Sequence, residues 1–212
     1  VGVRVTCETG YPFRESLTIT VRPERPVRFP LLVRIPAWAQ GARVGGAPAE
    51  PGAFCRIERE WPGEGEVLVE LPMRPRIERR YRGAAAILRG PLVYALEIGE
   101  DWRQIGGERP HADWEVHPTA PWNYALLLDG ADPARSVSFS AREIGEAPFS
   151  PAGAPVRARV QGRRLPGWGI ERHAAGPLPH SPARSDEPLE EITLLPYGCT
   201  NLRIAEFPVL EE

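Results

Sequence analysis

An all-β fold built of antiparallel β-sandwiches is predicted by two features of this sequence. Proline (25) and glycine (21) together exceed a fifth of the 212 residues, and the longest run free of both covers only residues 134–144. Proline removes a backbone donor and clashes with the preceding helical turn, and glycine weakens a helix interior. A mainly helical chain is therefore close to excluded. The second feature is recurrent period-two alternation, which puts successive side chains on opposite faces of a pleated strand.

The elements follow in chain order. Residues 1–6 already alternate like a strand. Leu17, Ile19 and Val21 share a face, opposite Ser16, Thr18, Thr20 and Arg22. Val67, Val69 and Leu71 alternate against Glu66, Leu68 and Glu70, and Val137 and Phe139 against Ser136, Ser138 and Ser140. Residues 31–35, 86–88, 92–96, 124–128 and 192–195 are short runs of the side chains that suit a pleated surface. Gly45-Gly46, Gly63-Glu64-Gly65 and Gly106-Gly107 supply turns between them. Strands spaced by ~8–12 residues read as antiparallel sandwiches, not as a parallel α/β sheet. A polar stretch up to Arg82 followed by the apolar run from Ala84 marks an internal boundary near Gly83. Residues 174–188, rich in Pro, Ala, Ser and Gly, read as a long loop or return crossover.

Composition narrows the partners. The 26 basic side chains, all arginine, nearly cancel 28 acidic ones, so no global field recruits nucleic acid or an acidic membrane. No apolar run approaches the ~18 residues that a membrane-spanning helix needs. The arginine-rich stretch from Arg74 to Arg82, with Tyr81, reads as a solvated edge strand or linker rather than a nucleic-acid surface. Residue 1 is valine and the only methionine is Met73, which suggests a piece of a longer protein. The sequence leaves the compartment open.

Few residues suggest chemistry. Cys7, Cys55 and Cys199 are widely spaced, as are His111, His117, His173 and His180, without the close spacing of a zinc site. The cysteines are expected to be buried or half-buried thiols, with a Cys7–Cys55 disulfide open only if their strands pair. Glu58 and Glu60 share a strand face at a spacing a glycosidase pair could use, yet carboxylates beside Gly63 and Gly65 are more often solvated. No nucleophile elbow, P-loop or Rossmann fingerprint occurs. Among six tryptophans, Trp38 and Trp61 fit a core, whereas Trp122, between Pro121 and Asn123, is the best surface platform for the apolar face of a sugar ring. Trp122 and Asn123 are thus the candidate binding residues, and no residue is a candidate metal ligand or catalytic group.

Several phrases in fixed order carry a resemblance. They are Arg34-Ile35-Pro36-Ala37-Trp38, Glu58-Arg59-Glu60-Trp61, Leu71-Pro72-Met73 and the run from Ala86 through Arg89-Gly90-Pro91 to Glu97. Pro118-Thr119-Ala120-Pro121-Trp122-Asn123-Tyr124-Ala125-Leu126 and Leu195-Pro196-Tyr197-Gly198-Cys199-Thr200-Asn201-Leu202-Arg203-Ile204 complete the set. Together they resemble the C-terminal part of the β-L-arabinofuranosidase family, glycoside hydrolase family 127 and its relatives. Gly45-Gly46 stands where that family usually has Asn-Gly, and both pairs supply the positive φ of a type I′ turn.

The resemblance implies two β-sandwich domains, the second inserted into the first. Residues 1–83 and 192–212 would form the first, with a final strand over residues 200–204 returning to its sheet, and residues 84–191 the second. It also implies a catalytic (α/α)6 barrel upstream that performs retaining hydrolysis with a zinc-bound cysteine thiolate. None of Cys7, Cys55 and Cys199 sits in the matching motif, so no catalytic residue, cofactor or zinc is expected in this chain. The expected function is a non-catalytic accessory region of a glycoside hydrolase, partnered by that barrel. The alternatives are a carbohydrate-binding module and a protein-interaction sandwich.

Overall fold

The computed structural model describes residues 1–211 and divides into two compact units, Val1–Arg74 and Pro75–Glu212. In both, the regular secondary structure is almost wholly antiparallel strand. Among the described residues no helix is long and apolar enough to cross a membrane.

The first unit comprises β1 (Val3–Thr9), β2 (Ser16–Pro23), β3 (Val27–Arg34), β4 (Arg43–Val44), β5 (Ala47–Pro48), β6 (Phe54–Trp61) and β7 (Gly65–Glu70). One sheet runs β1-β2-β7-β4-β5, and β3 pairs with β6 in a second. Val21, Val67 and Val69 from the first sheet share one core with Val33 and Trp61 from the second, so the two sheets are layers over a common interior. The alternation read from sequence is visible directly: Val67 and Val69 are buried while Glu66 and Leu68 are exposed. Trp61 anchors the core, donating its indole N–H to the Phe29 carbonyl at 3.2 Å and stacking on the Phe29 ring. Gly65 lies so close that a Cβ there would meet the Trp61 ring at 3.2 Å. The Gly45-Gly46 pair, with φ of 57° and 80°, joins β4 to β5 by the expected two-residue turn.

The second unit is a longer ladder. Its strands are β8 (Pro75–Arg79), β9 (Ala85–Arg89), β10 (Leu92–Leu96), β11 (Glu100–Gly106), β12 (Asp113–Pro118), β13 (Tyr124–Leu126), β14 (Val137–Ala141), β15 (Val156–Arg164), β16 (Ile170–Glu171), β17 (Ala174–Ala175) and β18 (Leu189–Pro196), with a helical turn, α1 (Pro133–Ser136), and short 3-10 turns at Tyr81–Gly83 and Tyr197–Cys199. The main sheet runs β13-β15-β18-β10-β9-β8, and β14 shares the edge of β15 with β13. Phe207 then bridges Ala85 on β9, and Val209 bridges Leu126 on β13. The C-terminal segment therefore links both sides of the ladder around a core that includes Tyr94, Leu126, Val160, Leu194 and Phe207. Two hairpins, β11–β12 and β16–β17, lie outside that ladder.

The division differs from the expected one in two respects. The break falls at Arg74/Pro75, not near Gly83, because Pro75–Arg79 pairs along its whole length with β9 as the edge of the second sheet. The strand expected to return to the first sheet is paired within the second unit: β18 lies between β15 and β10, and Ile204 accepts from the Leu96 N–H. The arginines of the edge segment have local partners, Arg80 on Glu206 and Arg82 on the Leu178 carbonyl.

Candidate binding cleft

The cysteines are free thiols in three environments. Cys7 is exposed on β1, Cys55 is half-buried on β6, and Cys199 is buried in the second unit, donating to the Pro148 carbonyl at 3.3 Å. Exposed Cys7 departs from the expected burial, because β1 pairs with β2 alone and every residue along it is exposed. β1 and β6 do not pair, so nothing brings Cys7 and Cys55 together. Burial pushes the Cys199 thiol pKa up, the reverse of what a thiolate nucleophile or zinc ligand needs. Among the described residues no group of three or more His, Cys, Asp or Glu side chains is placed to hold a metal ion. These residues do not fit a zinc–thiolate centre. Glu58 lies exposed on β6 within 2.9 Å of Arg56 and 3.7 Å of Arg28, in a solvated charge cluster.

The tryptophans sort differently. Trp61 and Trp168 are buried, while Trp102 and Trp114 are 48% and 40% exposed and meet edge-on across the β11–β12 hairpin. The signal for that pair was present in the sequence, as two tryptophans either side of the Gly106-Gly107 turn. Trp122 is half-buried, its ring centroid 5.1 Å from that of Trp168 at an interplanar angle of 72°. Trp168 is itself tied by its indole N–H to the Gly176 carbonyl. Asn123 points its amide N–H groups at the Leu165 and Trp168 carbonyls, at 2.8 and 3.1 Å. Those two bonds fasten the loop carrying Trp168, and Trp122 borders open space.

That space is a cleft of about 480 Å³, inside the usual size range of small-molecule sites. Trp122 forms one wall and Ile98, Leu202 and Ile204 give it an apolar floor. Residues 115–118 of β12 line one side and the β16–β17 hairpin the other. The hairpin turns on Arg172 and His173, with φ of 49° and 65°. Left-handed backbone at non-glycine residues costs roughly 1–2 kcal/mol each, and here it holds His173 at the cleft. His117 pairs with Glu115 at 3.0 Å, and Arg203 is stacked 4.5 Å over the Tyr197 ring while donating to the Tyr197 carbonyl.

Glu100 fixes the base of the β11–β12 hairpin against this floor. Its carboxylate accepts from the backbone N–H groups of Asn201 and Leu202, the Asn201 amide and the Trp102 indole. Partial burial opposes its ionisation, but those hydrogen bonds outweigh burial and lower its pKa. At neutral pH the anchor is charged and holds Leu202 in the cleft floor.

The fold occurs in solved structures of known proteins. Among those that share it are a GH127 β-L-arabinofuranosidase from Geobacillus stearothermophilus T6 (22% identity, TM-score 0.55), a protein described as a glycoside hydrolase (20%, 0.58) and a GH127 β-arabinofuranosidase (19%, 0.58). The match covers 98%, 99% and 98% of this chain but only 30%, 32% and 32% of theirs. The chain thus spans about a third of the structures it matches. More particularly, residues 1–73, nearly all of the first unit, match the family model of the β-L-arabinofuranosidase GH127 middle domain. The resemblance carried by the sequence phrases is therefore to the family found by both comparisons. No curated protein matches the chain.

Proposed function

We propose that this chain is the non-catalytic β-rich accessory region of a glycoside hydrolase resembling the GH127 β-L-arabinofuranosidases, and that hydrolysis belongs to a helical barrel elsewhere in a longer protein. One observation carries the reading: the chain is matched over 98–99% of its own length and 30–32% of the hydrolases' length. The placement of the cysteines supports it, since the retaining thiolate chemistry implied by the family needs a low-pKa, metal-held sulfur, and Cys7, Cys55 and Cys199 are dispersed. In this reading the barrel supplies zinc and acid/base carboxylates, and the two units here support it.

The coding DNA immediately upstream of Val1 tests the proposal. A long helical region bearing a glutamate and clustered cysteines is the expected finding. An in-frame stop codon, or an unrelated domain in that position, contradicts it.

A further inference from the structure

We infer that the Trp122 cleft is a saccharide-binding site that takes one or two neutral sugar residues. The inference does not rest on the accessory-region reading, since it is argued from the cleft's own chemistry. A neutral sugar presents an apolar C–H face and a rim of hydroxyls, each of which both donates and accepts. The cleft offers the matching set. Trp122 is a flat apolar wall, held in place by its edge-on contact with buried Trp168. Residues with acceptor and donor side chains line the cleft together with Trp122: Glu115, His117, His173 and Arg203.

The same set argues against other ligands. An anion would meet Glu115, a cation would meet Arg203, and a purely apolar molecule would desolvate both without offering either a hydrogen bond in return. The site is also preorganised, which lowers the cost of ordering side chains on binding. Arg203 is stacked on Tyr197, His117 is paired with Glu115, and the Arg172–His173 turn holds an otherwise unfavourable backbone. Trp102 and Trp114, although more exposed, belong to the hairpin face and do not line the cleft.

Titration of the 212-residue chain with arabinotriose and with xylotriose, followed by calorimetry and by the tryptophan indole N–H resonances, tests the site. Saturable binding of either sugar is expected, with Kd on the order of 1 mM for so short and open a cleft. Trp122→Ala should weaken it by about tenfold or more, as for loss of a central aromatic anchor. Because Trp122 braces Trp168, the rim variants Arg203→Gln and His173→Gly serve as independent probes, each expected to weaken binding several-fold with an unchanged near-ultraviolet circular dichroism spectrum. Trp102→Ala should bind as the parent chain does. A response linear in sugar concentration overturns the inference, as does saturation by inorganic phosphate or a hydrophobic dye at the same resonances. Loss of binding on Trp102→Ala with retention on Trp122→Ala also overturns it, moving the site to the hairpin face. None of these results bears on the upstream coding sequence, so the two proposals fail separately.

Discussion

In the first unit a five-stranded sheet is covered by a separate pair of strands, and its apolar side chains converge on Trp61. In the second, the chain terminus joins both sides of a single ladder, and two hairpins are left outside it. The difference separates a two-layer core from a ladder with hairpins standing outside it. The first unit spends its alternation on a two-layer core and carries exposed Arg–Glu pairs such as Arg22–Glu64 and Arg56–Glu58, which contribute little at the surface. The second closes its core with Phe207–Leu210, so β11–β12 and β16–β17 are free to wall the Trp122 cleft.

The sharpest way to break that comparison is to remove one core anchor from each unit. Trp61→Ala and Phe207→Ala, at residues 1% and 0% exposed, should each cost about 3–5 kcal/mol. Hydrogen exchange should place the loss in β2, β3, β6 and β7 for the first variant and in β9, β10, β13 and β18 for the second. Uniform loss of protection in both variants would contradict a division into separately cored units.

Glu100→Ala should cost about 1–3 kcal/mol by leaving the Asn201 and Leu202 N–H groups without their carboxylate, with the effect confined to β11, β12 and the cleft floor. Because the folded-state pKa of Glu100 is lowered, its stabilisation is present above the unfolded carboxyl value of about 4.3 and is lost as pH falls through the folded value. An acid titration followed by the Trp102 indole resonance should show this, and the first-unit Trp61 resonance should not follow it.

A smaller effect of opposite sign is expected at the β16–β17 turn. Arg172→Asn combined with His173→Gly places residues suited to type I′ geometry where φ is 49° and 65°, and should raise stability by about 1 kcal/mol. The thermal midpoint checks it. A fall would show that Arg172 or His173 makes stabilising side-chain contacts that outweigh the backbone relief. Smallest in energy but clearest in rate, Cys7 should react with a thiol reagent well before Cys199, because one is exposed and the other buried with a raised pKa.

The sequence made the strands legible wherever one face is buried and the other wet. Val67, Val69, Val137 and Phe139 lie on strands as their alternation requires, and Gly45-Gly46 makes the turn its positive φ allows. The unit boundary was less legible. The polar composition of residues 74–82 reads equally as a linker and as an edge strand, and only its pairing with β9 decides between them. The destination of the terminus was hidden too, because Phe207 and Val209 make long-range bridges that no local periodicity reports. At the cleft, Trp122 stood out as a platform from its own neighbours, but Asn123 did not reveal that it would fasten the Trp168 loop. Glu115 and His117 on one hairpin, His173 on another and Arg203 on the segment after β18 are far apart in sequence and come together at the cleft only in the fold.

The most direct measurement is hydrolysis of a chromogenic β-L-arabinofuranoside by the purified 212-residue chain with zinc and reductant supplied. A rate indistinguishable from buffer is expected if catalysis belongs to a barrel elsewhere in a longer protein. Sustained turnover that survives further purification, and is abolished by substituting one of this chain's own cysteines or carboxylates, would contradict it.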